Sequence, residues 1–204
     1  MKKSILLVGC FLMIFSIAHG QGNGSSRVFK PFKVDVGINL TFPTESSLTT
    51  GGGLFVEPRY GINDHLHLGL QIGSNILGEG ESLFNHKEAV FRAQAISNLS
   101  LTSEYQFGKQ ETRPFIGLLA GMYRRSDYEI VDSADGTIIN QQSNALKFGL
   151  APRLGVIAGK FRMNATYHFT GHDISDFVSI GLGIQFGGGK LKEKKQKIDY
   201  NPNW

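Results

Sequence analysis

Apolar and polar residues alternate in steps of two along most of the chain between Phe32 and Phe186, the pattern of strands with one apolar face. In the first segment Phe32, Val34, Val36, Ile38, Leu40 and Phe42 alternate with Lys33, Asp35, Gly37, Asn39 and Thr41. Leu54, Val56, Pro58 and Tyr60 alternate with Phe55, Glu57 and Arg59, and Leu66, Leu68, Leu70 and Ile72 with His67, Gly69, Gln71 and Gly73. The pattern loosens from Phe91 to Phe107, where Leu99, Leu101, Tyr105 and Phe107 oppose Asn98, Ser100, Thr102, Glu104 and Gln106. In the fifth segment Ile116, Leu118, Ala120 and Met122 share a face, but Phe115, Leu119 and Tyr123 on the other leave its parity open. Three further segments run from Phe148 to Val156, Phe161 to Phe169 and Val178 to Phe186. Most are near the roughly nine to eleven residues that a tilted strand needs to cross a bilayer. The pattern predicts an all-β fold, an eight-stranded antiparallel up-and-down transmembrane β-barrel over residues 32–186.

The connections alternate in length. Residues 43–52, 74–89, 124–144 and 170–176 read as longer loops, and 61–65, 108–113 and 158–160 as short turns. Outer-membrane barrels keep short turns in the periplasm and long loops outside, and an even strand number places both chain ends on the periplasmic side. Aromatic residues fall in two bands, Phe32, Tyr60, Phe107, Phe161 and Phe186 at the turn ends and Phe42, Phe91, Phe148 and Phe169 at the loop ends. Interfacial girdles have this distribution.

If the apolar face meets lipid, the opposite face lines a lumen. The predicted lumen charge network is Lys33, Asp35, Glu57, Arg59, Arg92, Glu104, Arg153 and Arg162, with Lys147, His67 and His168 on the same face. An eight-stranded barrel has room inside for side chains or one small ligand, and charges buried there must be paired. A hairpin with its tip near residue 47 sets Asp35 opposite Arg59, an expected cross-strand ion pair. Salt bridges that hold the barrel shut are the favoured reading over a narrow ion path.

The ends carry a different message. Lys2 and Lys3, an apolar run from Ile5 to Ala18, and Ala18-His19-Gly20 have the order of a secretory signal peptide, assigned to residues 1–20. Leu7-Val8-Gly9-Cys10 has a lipobox-like order, but cleavage there would strand half the apolar run, so Cys10 is read as part of the signal. Residues 21–31 form a short periplasmic segment and residues 187–204 a basic periplasmic tail. The net charge of +4 belongs to these ends. The signal holds two lysines and the tail five against Glu193 and Asp199, which leaves residues 21–186 with one net negative charge. The high pI is therefore no sign of nucleic-acid binding.

The last strand carries the sharpest motif. Ser179, Gly181, Ile184 and Phe186 fit the polar-x-Gly-x-x-apolar-x-aromatic pattern of a terminal strand. With Pro58-Arg59-Tyr60-Gly61-Ile62-Asn63-Asp64, Arg113-Pro114-Phe115-Ile116-Gly117 and Ala151-Pro152-Arg153-Leu154-Gly155, residues 30–186 resemble the outer-membrane β-barrel domain family of Gram-negative bacteria, in the OmpA/OmpX size class. The resemblance implies that the barrel-assembly machinery reads Ser179 to Phe186. Many such barrels stop at the final aromatic, whereas this sequence continues.

No cofactor or metal is expected. His65 and His67 have no third partner at metal-ligand spacing, and Ser74, His86, His168, His172, Asp173 and Asp176 show no spacing that unites nucleophile and base. Asp135-Gly136 between Tyr128–Val131 and Thr137–Ile139 signals a hairpin that continues two strands beyond the membrane. The expected role is structural or interactive, as an accessory subunit of an envelope or secretion complex. Its partners would be outer-membrane lipid and a protein reached through the 124–144 hairpin or the 187–204 tail. The rivals are a lipocalin-like soluble binding barrel with its faces inverted and a lipid-modifying outer-membrane enzyme.

Overall fold

A computed structural model describes residues 28–46, 48–79, 83–85, 88–133, 136–171 and 174–190, with the backbone alone for the described residues of 79–92 and 129–144. The strands are β1 (Phe32–Pro43), β2 (Leu48–Gly61), β3 (Leu66–Glu79), β4 (Leu83–Asn85), β5 (Glu88–Gln106), β6 (Thr112–Ser133), β7 (Gly136–Ala158), β8 (Phe161–His168) and β9 (Phe177–Gly187). Every pairing is antiparallel. Sequence neighbours pair in order, β3 pairs with β5, and β9 returns to β1, so eight strands close into a ring. The three-residue β4 pairs with the outer end of β5 and stands outside that ring. Closure leaves no unpaired edge within the ring, which is what lets strands cross lipid.

The alternation resolves into an outside and an inside. Ile38, Leu40, Leu54, Ile72, Leu99, Leu101, Leu154 and Leu182 are exposed on the outer wall, while Lys33, Asp35, Glu57, Arg59, Gln71 and Glu104 are buried within. In β6 the outward set is Ile116, Leu118 and Met122, and Phe115, Leu119 and Tyr123 point inward. Phe32, Tyr60, Phe107, Phe161 and Phe186 are exposed at the turn end, and Phe42, Phe148 and Phe169 at the other. Such an aliphatic belt between aromatic bands, around a charged interior, inverts a soluble core and suits lipid. It rules out the inverted, lipocalin-like arrangement.

Two expectations are corrected. The connections read as long loops are largely strand. Residues 48–52 belong to β2 and 74–79 to β3; in the 124–144 segment every described residue is strand, in line with the hairpin expected around Asp135-Gly136. Apolar alternation ends where lipid ends, but the hydrogen-bonded ladder continues on polar residues, so loop lengths read from hydropathy are too long. Only the 170–176 connection keeps its expected size. The turns at 62–65, 107–111 and 159–160 are short. In the first hairpin Asp35 faces Glu57 and Lys33 faces Arg59, two residues off the expected Asp35–Arg59 register.

Heights around the rim differ. β6 has 22 residues and β7 has 23, about twice what a tilted strand needs to cross. β8 has 8 residues, and β7 pairs with it only from Arg153 to Ala158, apart from a bridge between Leu150 and Phe169. The upper parts of β5, β6 and β7 therefore rise as a ribbon beyond the ring.

Candidate functional site

The lumen is built from side chains two residues apart on each strand, so each strand contributes a column and neighbouring columns interlock. Its middle is an ionic layer. Glu104 of β5 accepts from Arg59 Nη1 at 2.6 Å through Oε1 and from Arg162 Nη2 at 2.5 Å through Oε2. Asp35 Oδ2 pairs with Arg59 Nη2 and lies 3.7 Å from Arg162 Nη1. Two carboxylates and two guanidiniums thus alternate in a ring across four strands. Arg153 Nη1 donates to Glu57 Oε2 at 2.7 Å, joining β7 to β2, which stand opposite each other in the ring of eight. This pair spans the bore. Gln106 Nε2 adds a bond to Glu104 at 2.7 Å, and the Arg162 guanidinium lies 4.0 Å from the Phe115 ring centroid.

Above this layer, towards the ribbon, amides and hydroxyls fill the bore. Thr41 Oγ1 donates to Asn75 Oδ1 at 3.0 Å, and Asn98 Nδ2 donates to Gln71 Oε1 at 3.3 Å. His168 lies between Tyr123 OH, 2.9 Å from Nδ1, and Ser179 Oγ, 2.9 Å from Nε2, and stacks on Phe177 with ring centroids 4.2 Å apart. Leu48, Leu77, Ile96, Tyr123, Ile174 and Phe177 then pack into an apolar plug. The 170–176 connection supplies Ile174 and is turned inward by its own bonds. Asp176 Oδ1 accepts from Thr170 N at 2.7 Å, and Thr170 Oγ1 donates to the Ile174 carbonyl at 2.7 Å.

The turn end is closed by a strap. Asp64 Oδ1 accepts from Val28 N at 3.1 Å and Phe29 N at 3.3 Å. Phe29 bridges to Lys190, and its buried ring lies 4.0 Å beneath the Arg113 guanidinium.

Of the residues expected to line the lumen, Lys33, Asp35, Glu57, Arg59, Glu104, Arg153 and Arg162 are buried there. Asp35 and Arg59 pair diagonally instead of face to face, because a long arginine reaches across the two-residue offset. The Arg92 side chain lies outside the described residues. Lys147 is exposed. In β9 Ser179 and Gly181 are buried and face inward, whereas Ile184 and Phe186 are exposed on the lipid side. By alternation alone Arg113 falls in the 108–113 turn and Phe29 ahead of the first strand. Arg113 lies two positions before Phe115, so carrying the inner parity one step further would have found it.

The described residues considered for enzymatic chemistry are not brought together. Ser74 is on the outer wall, 3.3 Å from Ser97 Oγ, and His168 is inside. His86, His172 and Asp173 lie outside the described residues. The Ser179–His168 contact has the reach of a nucleophile and base, but Tyr123 occupies the orienting position and the apolar plug covers all three. No group of side chains suited to a metal ion occurs among the described residues.

No family profile and no curated protein match the sequence. Solved structures do resemble it in fold. Neisserial surface protein A superposes with a TM-score of 0.51 at 14% identity, covering 78% of this chain and 98% of its own. The attachment invasion locus protein of Yersinia pestis gives 0.48 at 15% identity, covering 77% and 100%. Outer membrane protein OprG of Pseudomonas aeruginosa gives 0.47 at 13%, covering 79% and 98%. The chain is a transmembrane β-barrel with the fold of small outer-membrane barrels.

Proposed function

We propose that the protein is a closed outer-membrane barrel that serves as a platform for protein contact, with an accessory role in a larger envelope complex. The ribbon carries this reading. β5, β6 and β7 continue their hydrogen-bonded ladder well past the ring, to the pairs Glu88–Ser133 and Ser133–Gly136. Extending that much backbone into water is needless for crossing a bilayer, and a projecting strand edge can take up a partner's backbone. On this reading residues 1–20 are a removed signal, Ser179, Gly181, Ile184 and Phe186 are read by the barrel-assembly machinery, and both ends of the mature chain and the 187–204 tail lie in the periplasm. The packed ionic layer and the two closures support a structural role for the lumen instead of a conducting one.

The test replaces residues 127–143 with Asn-Gly, joining Ser126 to Asn144, which already face each other. The trimmed barrel should still insert and show a heat-dependent gel shift. Mild-detergent pulldown from native membranes should recover a recurring partner with the full chain and lose it with the trimmed one. Equal recovery from both would refute the ribbon as the contact surface, and loss only on removal of residues 191–204 would move the contact to the tail.

A further inference from the structure

The lumen carries more positive than negative charge, and the excess sits at the turn end. Arg59, Arg153 and Arg162 are engaged by Asp35, Glu57 and Glu104. Lys33 and Arg113 are buried with them but share none of these bonds. Lys33 Nζ and Arg113 Nε and Nη1 have no hydrogen-bond partner. The Lys33 side chain is wholly shielded and within electrostatic reach of Arg113, and His67 is within reach of both. The carboxylates within electrostatic reach are engaged elsewhere: Glu104 and Asp35 by Arg59 and Arg162, and Asp64 by Val28 N and Phe29 N, with Lys109 Nζ at 3.8 Å. Other inward polar groups at this level, Gln106 and Gln185, are amides and neutralise nothing.

A buried cation without a counter-charge is costly enough that proteins neutralise it or supply a partner. The bore of eight strands has room for side chains or one small ligand. Phe29 closes this region below and the Arg–carboxylate ring closes it above, so only a compact ion would fit without opening the strap. We propose that the turn end of the lumen binds a small monovalent inorganic anion, of the size of chloride, between Lys33 and Arg113 over the Phe29 floor. The ion completes the charge balance of the barrel, and the strap with its Asp64 anchor controls its exchange.

Bromide is the probe. Crystals of the full protein grown in sodium bromide should give an anomalous peak within contact distance of Lys33 Nζ and the Arg113 guanidinium. In vesicles at constant ionic strength, exchanging gluconate for bromide should lower the unfolding equilibrium constant about tenfold once bromide is near ten times its dissociation constant. Lys33→Met and Arg113→Gln should each remove that dependence. The absence of a peak at this position overturns the proposal, as does a bromide dependence unchanged in both variants. If a variant does not fold, the crystallographic peak of the unsubstituted protein decides.

Discussion

Glu104 holds the centre of the lumen because each of its oxygens answers a different guanidinium, one from β2 and one from β8. Removing it leaves Arg59 and Arg162 sharing Asp35 in a buried interior, with Glu57 Oε1 3.9 Å from Arg59 Nε, and breaking a buried pair from one side costs about 3–5 kcal/mol. Glu104→Ala should lower stability by about that amount in urea titrations in vesicles, and Glu104→Gln should lie between it and the unsubstituted protein. At this scale the sequence was informative about identity and silent about partnership. Period-two parity separates Lys33, Asp35, Glu57 and Arg59 from the aliphatics beside them. It cannot tell that Arg153 meets Glu57 across the whole bore, because that contact depends on ring closure and not on adjacency. Nor could it supply Phe29, a lone aromatic ahead of the first alternating run.

Strands fit together through pairs of unequal size. Gly37 faces Phe55 across β1 and β2, and Gly155 faces Phe115 across β6 and β7. In each the ring folds over the glycine. A Cβ on Gly37 would come 2.6 Å from the Phe55 ring, and one on Gly155 would come 2.5 Å from that of Phe115. Gly37→Val should therefore displace Phe55 and cost about 1–3 kcal/mol, the usual range for overpacking. The same urea titration checks it, with the lipid-facing Ile38→Val as the neutral comparison. The strands themselves were legible wherever one face was apolar. The upper end of β2 was not, since Gly51-Gly52-Gly53 look like loop by composition yet pair with β1, whereas the extension of β6 and β7 was announced by the turn signal Asp135-Gly136 between Tyr128–Val131 and Thr137–Ile139. What sets the conformation of those glycines is pairing with a neighbour, which hydropathy does not record.

For the molecule as a whole, the aliphatic outer wall and the filled bore have separate consequences. The wall predicts retention in membranes after carbonate extraction, and a freely soluble mature protein would contradict the lipid-facing assignment. The bore predicts silence in planar bilayers. Two cross-lumen arginine–carboxylate systems, the Phe177 plug and the Phe29 strap lie in series, so large, stable openings should not appear. Their appearance would mean that at least one closure moves.

The strap has one more consequence. Phe29 is bridged to Lys190, and Lys30 N donates to the Gly189 carbonyl at 3.0 Å, so the chain enters and leaves the barrel at the same point of one rim. A short linker from Lys190 back to Val28 would turn the barrel into a continuous loop of chain. Opening that loop between β6 and β7 would yield a circular permutant with the same ring of strands and its new ends across the bilayer. In such a permutant the β1–β9 seam would become an ordinary linked pair, and the ring would be sealed instead by β7, now the first strand, and β6, now the last.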